Sequence, residues 1–261
     1  MMTQRVLALQ GVHNFRDCGG YAVSGSGRLK RGVLWRSGQH YGATDADLAV
    51  IAGLGLDSVF DLRSSKERQS HPCRRPQSFG AKVFFSDDPV RVDAPHVAAA
   101  QTARQRTPES MRESLLRSYT GICFRPELQA MIRGWFARLA EGSGPSLIHC
   151  MAGKDRTGIA VAMLHLAAGV HRDDVMEDYL LTNTAGDSEA RVASGGETVR
   201  DIVGEMDDAA VRVLMAAEPE YLETAFTAVE ERHGTVDAYL EEALGADAAM
   251  RETLRAALVE G

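Results

Sequence analysis

Short apolar runs alternate with amphipathic stretches along the first 150 residues, and this alternation is typical of an α/β fold. The runs that have the length of strands are residues 32–37, 57–62, 82–85 and 145–148, and of these 57–62 and 145–148 are expected to be buried. Residues 6–17 have the pattern of an edge strand or an extended segment. Thr44 is a favourable N-cap for an intervening helix, with Asp47 three residues later. The pattern therefore predicts a central, mostly parallel sheet of four or five strands that is flanked by helices.

Other segments have helical periodicity. Residues 108–119 and 126–139 each place apolar side chains on one face, which predicts two helices. Residues 86–125 are expected to form a flap or a helical insertion near the functional site. The chain from 186 to 261 is almost wholly helical by its periodicity and predicts additional C-terminal helices. Because 261 residues can bury one sizeable core, we expect a single domain over residues 1–261.

Composition limits the classes of partner. The net charge of −7 argues against nucleic acid and gives no long-range attraction for anionic substrates. No apolar run approaches the roughly 18 residues of a membrane span, and the N-terminus lacks the features of a signal peptide. The four cysteines (Cys18, Cys73, Cys123 and Cys150) lack the spacing of a disulfide framework or a zinc site. We expect a cytoplasmic protein with no metal or cofactor, although export without a signal peptide is compatible with the sequence.

One stretch combines a buried strand, a loop with a glycine, and the start of a helix: Ile148-His149-Cys150-Met151-Ala152-Gly153-Lys154-Asp155-Arg156-Thr157-Gly158. Cys150 is expected at the junction, above the N-terminus of the helix. Free N–H groups and the positive end of the helix dipole favour a thiolate there. The same N–H groups form a nest for a phosphate dianion. The stretch therefore has the chemistry of a nucleophilic cysteine that faces a phosphate.

Arg156 strengthens this interpretation. It lies six positions after Cys150, and none of the other cysteines has an arginine at that offset. The helix dipole disfavours a positive charge at a helix N-terminus, so an arginine there indicates a bound anion. Its planar guanidinium can hold two phosphate oxygens. A nucleoside-triphosphate P-loop is the nearest alternative, but it needs glycine at position 148 and Ser or Thr at 155, where Ile148 and Asp155 stand.

These residues resemble the signature of the cysteine-dependent protein tyrosine phosphatases: His-Cys, five residues, Arg, and then Ser or Thr. His149, Cys150, Arg156 and Thr157 match it. Residues 153–158 are similar to the bacterial branch of the family, several of whose members also act on phosphoinositides. Further motifs of that branch occur in the same order: Asn14-Phe15-Arg16-Asp17, Gly27-Arg28, Trp35-Arg36-Ser37 and Asp61-Leu62-Arg63-Ser64-Ser65. The resemblance covers most of the chain and is loosest in its C-terminal third.

The resemblance implies a phosphotyrosine-phosphatase-like fold and a phosphomonoester hydrolase. In this interpretation Cys150 attacks phosphorus and forms a cysteinyl-phosphate intermediate. The phosphate is held by the loop and the helix start, which are Met151, Ala152, Gly153, Lys154, Asp155 and Arg156. His149 is expected to hold the loop, and Thr157 to donate its hydroxyl to the sulfur. The substrate would be a phosphorylated protein or a phosphoinositide, and the sequence does not choose between them.

The general acid has two candidate positions. Asp155 lies inside the loop, as in lipid-directed relatives with a similar loop. Asp87 and Asp88 follow the third predicted strand, where tyrosine and dual-specificity phosphatases usually carry the acid. The sequence has no Trp-Pro-Asp motif to decide. Asp155 is the favoured donor and Asp88 the second candidate.

Three further residues are candidates for supporting roles. Lys154 would meet a second phosphate, as on an inositol ring. Arg63 directly follows a predicted strand and is a candidate for the site rim. Cys18 is the one cysteine that could pair with an oxidised Cys150.

Two other classes of function remain open to the sequence. A phosphate-binding module without turnover would keep the loop but lack a competent acid. A thiol redox or sulfur-transfer enzyme would want a second cysteine within reach of Cys150, and none lies nearby in the sequence.

Overall fold

The computed structural model describes residues 5–86 and 94–261. Its central sheet contains β1 (Arg16–Asp17), β3 (Leu34–Ser37), β4 (Ser58–Asp61), β5 (Lys82–Phe85) and β6 (Ser146–His149). These strands lie in the order β1-β3-β6-β4-β5; β1 is antiparallel to β3, and the other neighbours are parallel. A second, two-stranded sheet pairs β2 (Arg28–Leu29) with β7 (Val259–Glu260). The predicted α/β fold with a mostly parallel central sheet is confirmed.

Helices surround the central sheet. They are α1 (Asp45–Ala52), α2 (Ser65–Ser70), α3 (Pro95–Thr102), α4 (Pro108–Ile122), α5 (Pro126–Ala140), α6 (Asp155–Ala168), α7 (Arg172–Leu180), α8 (Ser188–Val203), α9 (Asp208–Met215), α10 (Pro219–His233), α11 (Val236–Glu242) and α12 (Ala248–Leu258). Of these, α6 is the innermost, since 13 of its 14 residues are buried. A helix that is apolar on all faces belongs in the core, so the start of α6 is held rigidly.

Alternate residues of the strands enter two hydrophobic clusters. Val59 and Leu147 point to one side of the sheet, where they pack with Ile51 of α1. Phe60 and Ile148, the next residue along each strand, belong to the larger cluster on the other side. This division follows from the two-residue period of a strand. β6 lies at the centre of the sheet, and all four of its residues are buried.

The strand register brings the carboxyl end of β6 next to the carboxyl ends of β3 and β4. His149 pairs with Ser37 of β3 and with Asp61 of β4, so the carboxyl ends of the three parallel strands lie together. Parallel sheets bind their ligands at this edge. The segment that follows β6 is therefore enclosed by the segments that follow β3 and β4.

The predicted insertion is helical where the structure describes it. Residues 87–93, which include Asp87 and Asp88, lie outside the described residues. After them come α3 and α4, which pack on each other, and α3 also contacts α6 and α8. Ala94, Val97 and Ala99 are buried, so this part of the chain belongs to the core and is not an open flap.

The C-terminal helices are joined to the rest of the molecule. α12 packs on α5 and α6, and α10 packs on α4. The last strand, β7, pairs with β2, so the end of the chain meets residues near its beginning. Within the described ranges, no helix combines the length and the apolar character needed to cross a membrane.

A buried ion network joins β1, β3 and α7. The Asp178 carboxylate accepts from Arg36 Nη1 at 2.6 Å and from Arg16 Nε at 3.3 Å. All three side chains are at most 1 % exposed. Burial alone would raise the pKa of Asp178, but Arg16 and Arg36 outweigh it and hold that pKa well below its usual value. The network therefore requires the ionised carboxylate.

We predict that Asp178→Asn lowers the free energy of unfolding by about 3 kcal/mol or more at neutral pH, because it leaves two guanidinium groups buried without a counter-charge. The native pKa of Asp178 is depressed, so its contribution is present above the unfolded pKa of about 4 and is lost as the pH falls. Urea unfolding measures the change. Glu177→Gln, on the exposed side of α7, is the control and should change stability by less than about 0.5 kcal/mol. A loss below about 1 kcal/mol in Asp178→Asn would contradict the role of the network.

Candidate active site

Residues 150–154 form the loop between β6 and α6, called the Cys150 loop below. Gly153 adopts a φ of +66°. A Cβ atom at this position would lie 2.4 Å from the carbonyl oxygen of Ser37. Only glycine satisfies both the left-handed backbone and this close approach to β3. The turn in the loop is therefore fixed by its contact with the neighbouring strand.

Two carbonyl groups of the Cys150 loop, those of Met151 and Gly153, are held by donors outside it. The backbone N–H of Gln39 donates to Met151 O at 2.9 Å. Asn14 Nδ2 and Arg36 Nη2 donate to Gly153 O at 2.8 and 2.9 Å. In a trans peptide the N–H points away from the C=O, so holding the carbonyls on one side turns the N–H groups to the other. Together with the free N–H groups of the first turn of α6, these donors can surround an anion.

Arg156 is fixed by a carboxylate. Its Nη1 and Nη2 atoms lie 2.7 and 2.8 Å from the two carboxylate oxygens of Glu67, and Nη1 also donates to Leu62 O at 3.0 Å. Its Nε is buried and has no hydrogen-bond partner among the described residues. Burial alone would lower the pKa of Arg156, but Glu67 outweighs burial and raises that pKa above its usual value. Arg156 is therefore a fixed cation, and of its five N–H groups the one on Nε and one on Nη2 have no partner among the described residues.

Glu67 is a site residue that the sequence analysis missed. It stands in the first turn of α2, where it forms a capping box with Ser64. The Ser64 N–H donates to Glu67 Oε2 at 2.7 Å. The local signal was the Ser-x-x-Glu spacing, which predicts a helix start but not a partner for Arg156.

Cys150 lies directly after the central strand, and its residue is 2 % exposed. His149 is fully buried and stacks on His40, with ring centroids 5.2 Å apart. Burial lowers the pKa of His149 to about 4, despite the nearby carboxylate of Asp61, so the ring is neutral at pH 7. Thr157 Oγ1 is buried without a hydrogen-bond partner among the described residues, which leaves its hydroxyl free to donate. The supporting roles of His149 and Thr157 stay predictions.

Asp155 is buried and surrounded by donors. Tyr119 Oη donates to its carboxylate at 2.6 Å, Lys154 Nζ lies 3.2 Å away, and His96 Nδ1 lies 3.4 Å away. Burial alone would raise the pKa of Asp155, but Lys154, His96 and Tyr119 together hold it well below its usual value. Asp155 is therefore a carboxylate in the free protein, whereas a general acid must carry a proton.

The position of Lys154 differs from the expected contact with a second phosphate. Its ammonium is buried and donates to the carbonyl oxygens of Leu214 and Ala216 at 2.6 and 3.1 Å. These oxygens lie at the C-terminal end of α9, where helical carbonyls lack partners and the dipole attracts a cation. In the structure Lys154 joins the Cys150 loop to α9 and does not present its charge at the surface.

Arg63 is also engaged within the protein. It forms a two-pronged pair with Asp61, with Nε–Oδ1 and Nη2–Oδ2 distances of 2.9 and 2.8 Å. It donates in addition to His71 O and to Cys73 Sγ, at 2.7 and 3.0 Å. Arg63 and Arg156 line the same cavity, but the contacts of Arg63 are those of a residue that holds the loop after β4.

Arg125 is a second residue that the sequence analysis missed. It precedes α5 and lines the same cavity as Arg156, and its Nη1 is buried without a partner among the described residues. Burial and the charge of Arg156 lower its pKa. An arginine remains protonated in proteins, so this cavity contains two guanidinium groups with an unsatisfied donor each.

Two other cysteine-containing arrangements have structural explanations. Asp61, Cys73 and His149 bring potential metal-ligand atoms within 4.8 Å of one another. The Arg63 guanidinium, however, already bonds both Asp61 and Cys73 and supplies the positive charge there. Cys18 is 1 % exposed, and burial raises the pKa of its thiol, which disfavours reaction with an oxidised Cys150.

Comparison with known proteins agrees with this geometry. The sequence profile of the tyrosine phosphatase family matches residues 7–260. A protein of Cupriavidus necator assigned to the tyrosine-protein phosphatases is 34 % identical over 251 residues, which cover 93 % of this chain and 85 % of the relative. The triple specificity protein phosphatase PtpB of Mycobacterium tuberculosis is 29 % identical over 267 residues, covering 91 % of this chain and 94 % of the relative. A tyrosine-protein phosphatase of Nostoc commune is 30 % identical over 143 residues, or 53 % of this chain and 44 % of the relative. The chain belongs to the tyrosine phosphatase family.

Proposed function

We propose that this phosphatase works through a cysteinyl-phosphate intermediate on Cys150. The observation that carries the proposal is a pairing at the start of α6. The Met151 and Gly153 carbonyls of the Cys150 loop are bonded by residues outside the loop, and Arg156 Nε has no partner among the described residues. Main-chain N–H groups and a guanidinium are suited to the equatorial oxygens of a phosphoryl group in transfer. In this proposal residues 1–261 form one phosphatase domain.

The reaction proceeds in two displacements. The Cys150 thiolate attacks phosphorus, so an S–P bond forms while the P–O bond to the leaving group breaks, and the leaving oxygen takes a proton from an acid. Water then attacks the cysteinyl phosphate and gives a proton to the carboxylate that acted as the acid. The S–P bond breaks, inorganic phosphate is released, and the thiolate and the acid are restored. Arg156, held by Glu67, keeps the phosphoryl oxygens in line for both steps.

The proton donor is Asp155 in this proposal, with Asp88 as the alternative. Asp155 is ionised in the free protein, as its lowered pKa requires. A phosphate dianion in the neighbouring loop places negative charge beside Asp155, which favours its protonated form in the complex. The donor therefore gains its proton when substrate binds.

The proposed substrates are phosphotyrosine, phosphoserine or phosphothreonine in proteins, and phosphoinositides. The relative from Mycobacterium tuberculosis is named for triple specificity. In this chain, the cavity that Arg156 shares with Arg125 contains a second unsatisfied guanidinium N–H, which suits a substrate with more than one anionic group.

We predict that Cys150→Ser reduces hydrolysis of p-nitrophenyl phosphate by at least about a thousandfold, because the hydroxyl is a much weaker nucleophile than a thiolate. The assay includes a chelator, and rapid acid quench of the wild type should trap phosphate on Cys150. Cys73→Ser is the matched control and should remain within about twofold of the wild type, since serine can accept the same hydrogen bonds from His40 N and Arg63. Normal turnover by Cys150→Ser would refute the nucleophile. Phosphate binding without turnover by the wild type would instead indicate a binding module.

We predict that Asp155→Asn removes the fall in kcat at high pH that an acid in the enzyme–substrate complex produces. The loss in kcat should be larger for an alkyl phosphate than for p-nitrophenyl phosphate, because the poorer leaving group needs the proton more. The measurement is the pH dependence of kcat for Asp155→Asn and Asp88→Asn side by side. If Asp155→Asn keeps the basic limb and Asp88→Asn loses it, Asp88 is the acid.

A further inference from the structure

A small cavity borders the Cys150 loop on the side of α8. Its walls include Met151 and Ala152 of the loop, His96 of α3, and Arg191 and Ser194 of α8. Its volume of about 30 Å³ is too small for a substrate but has room for about one or two water molecules. Ser194 is exposed, so the cavity lies against the protein surface. It therefore brings solvent close to the interior of the site.

Asp155, the proposed acid, needs a connection to solvent. It is 1 % exposed and is ionised in the free protein, whereas the proposed mechanism requires its protonated form once substrate is bound. A proton must therefore enter when substrate binds and leave when phosphate is released. Since the phosphoryl group then occupies the loop, the route passes through a side chain that contacts the carboxylate. Those side chains are Tyr119, Lys154 and His96.

Two of the three contacts are closed to proton entry. Tyr119 Oη lies 2.8 Å from Tyr179 Oη, and Tyr179 is 1 % exposed with no further hydrogen-bond partner among the described residues. Burial also raises the pKa of Tyr119 well above its usual value, so this chain of hydroxyl groups ends inside the protein. Lys154 Nζ donates to the carbonyl oxygens of Leu214 and Ala216, which have no proton to give.

His96 differs from both because its ring has two nitrogen atoms. Nδ1 lies 3.4 Å from Asp155 Oδ2, and the same residue lines the cavity. The described residues offer the ring no hydrogen-bond partner other than Asp155, which leaves Nε2 for a water molecule. An imidazole can accept a proton at one nitrogen while it releases a proton from the other. His96 thus connects the buried carboxylate to water in the cavity.

The other charged and titratable groups beside the ring cannot take this role. Asp155, which pairs with Lys154, contacts the ring from the start of α6. Arg191 of α8 and His13, which precedes β1, line the cavity. An arginine keeps its protons in proteins. Burial, followed by the charge of Arg191, lowers the pKa of His13, and no contact joins His13 to Asp155 among the described residues. His96 is therefore the one cavity residue of this group that both exchanges protons and touches the acid.

We propose that His96 carries a proton between water in this cavity and Asp155. This inference rests on the proposed function. When substrate binds, cavity water gives a proton to Nε2 while Nδ1 passes its own proton to Asp155. When phosphate leaves, Asp155 returns the proton to Nδ1 and Nε2 releases one to water. The two movements cancel, so the ring ends each turnover in the tautomer in which it began. His96 acts through Asp155 and does not touch the substrate.

The test is the kcat of His96→Asn, whose amide still offers Asp155 a hydrogen-bond donor but does not relay protons. With an alkyl phosphate, whose leaving group needs the acid, kcat should fall about tenfold or more. With p-nitrophenyl phosphate it should fall less than about threefold, and KM should stay within about twofold for both substrates. His13→Asn, in the same cavity, is the matched control and should remain within about twofold of the wild type.

Two further measurements separate a relay from a merely structural contact. In the Asp155→Asn background, His96→Asn should cause no further loss of kcat, because no proton has to be delivered. In His96→Ala, imidazole added to the buffer should raise kcat about threefold or more, since it fills the space of the missing ring and exchanges protons in its place. His13→Ala should not respond to imidazole.

Several outcomes overturn the relay but leave the Cys150 mechanism in place. They are an unchanged kcat in a folded His96→Asn, additive losses in the double variant, and the absence of rescue by imidazole. If the His96 variants do not fold, Ser194→Leu decides. It narrows the cavity from exposed α8 and should lower kcat for the alkyl phosphate about threefold or more, whereas unchanged turnover overturns the relay. Loss of the basic limb in Asp88→Asn and not in Asp155→Asn would instead overturn the proposed acid.

Discussion

The site depends on donors outside the Cys150 loop that hold the carbonyl groups of Met151 and Gly153. Gly153 O is held by Asn14 and Arg36, and Arg36 is held in turn by Asp178. The buried network of α7 thereby reaches the loop by two routes, directly through Arg36 and through Arg16, which donates to Asn14 Oδ1. Without these donors the loop carbonyls would compete with the N–H groups for the space that an anion needs. Distant residues of the chain therefore determine the direction of the main-chain dipoles at the site.

Charge is arranged locally, as a protein with a net charge of −7 requires if it is to bind phosphate. Arg156 has Glu67 as its partner, and Lys154 has Asp155, so neither cation is left as a buried, unpaired charge. What remains for a ligand is a set of directed N–H groups, including Arg156 Nε. Binding then depends on geometry at short range and not on the field of the whole molecule.

Much of the fold could be predicted from sequence because its signals are local. The four apolar runs became β3 to β6 with ends within two residues, and Thr44 caps α1 as its spacing indicates. The position of Cys150 between β6 and α6 followed from one continuous stretch. The pairing of β2 with β7 could not be predicted, since it joins the two ends of the chain through strands of two residues each.

The site was predictable only where it is continuous in sequence. Glu67 lies 89 positions before Arg156. The carbonyl group of Leu214, to which Lys154 donates, lies 60 positions after Lys154. No local pattern reports such pairs, so the partner of Arg156 was missed and Lys154 was expected at a second phosphate. The charge state of Asp155 likewise depends on its contacts with Tyr119 and His96, which lie in the insertion and reach Asp155 only in the folded protein.

The most direct measurement of the central claim is a crystal structure of the wild type with bound vanadate or tungstate. The account predicts an oxyanion within the Cys150 loop, with Cys150 Sγ facing the metal centre of the oxyanion and with Arg156 Nε and the loop N–H groups donating to its oxygens. An oxyanion bound elsewhere, with the Cys150 sulfur packed among aliphatic side chains and Arg156 Nε turned away, would contradict it.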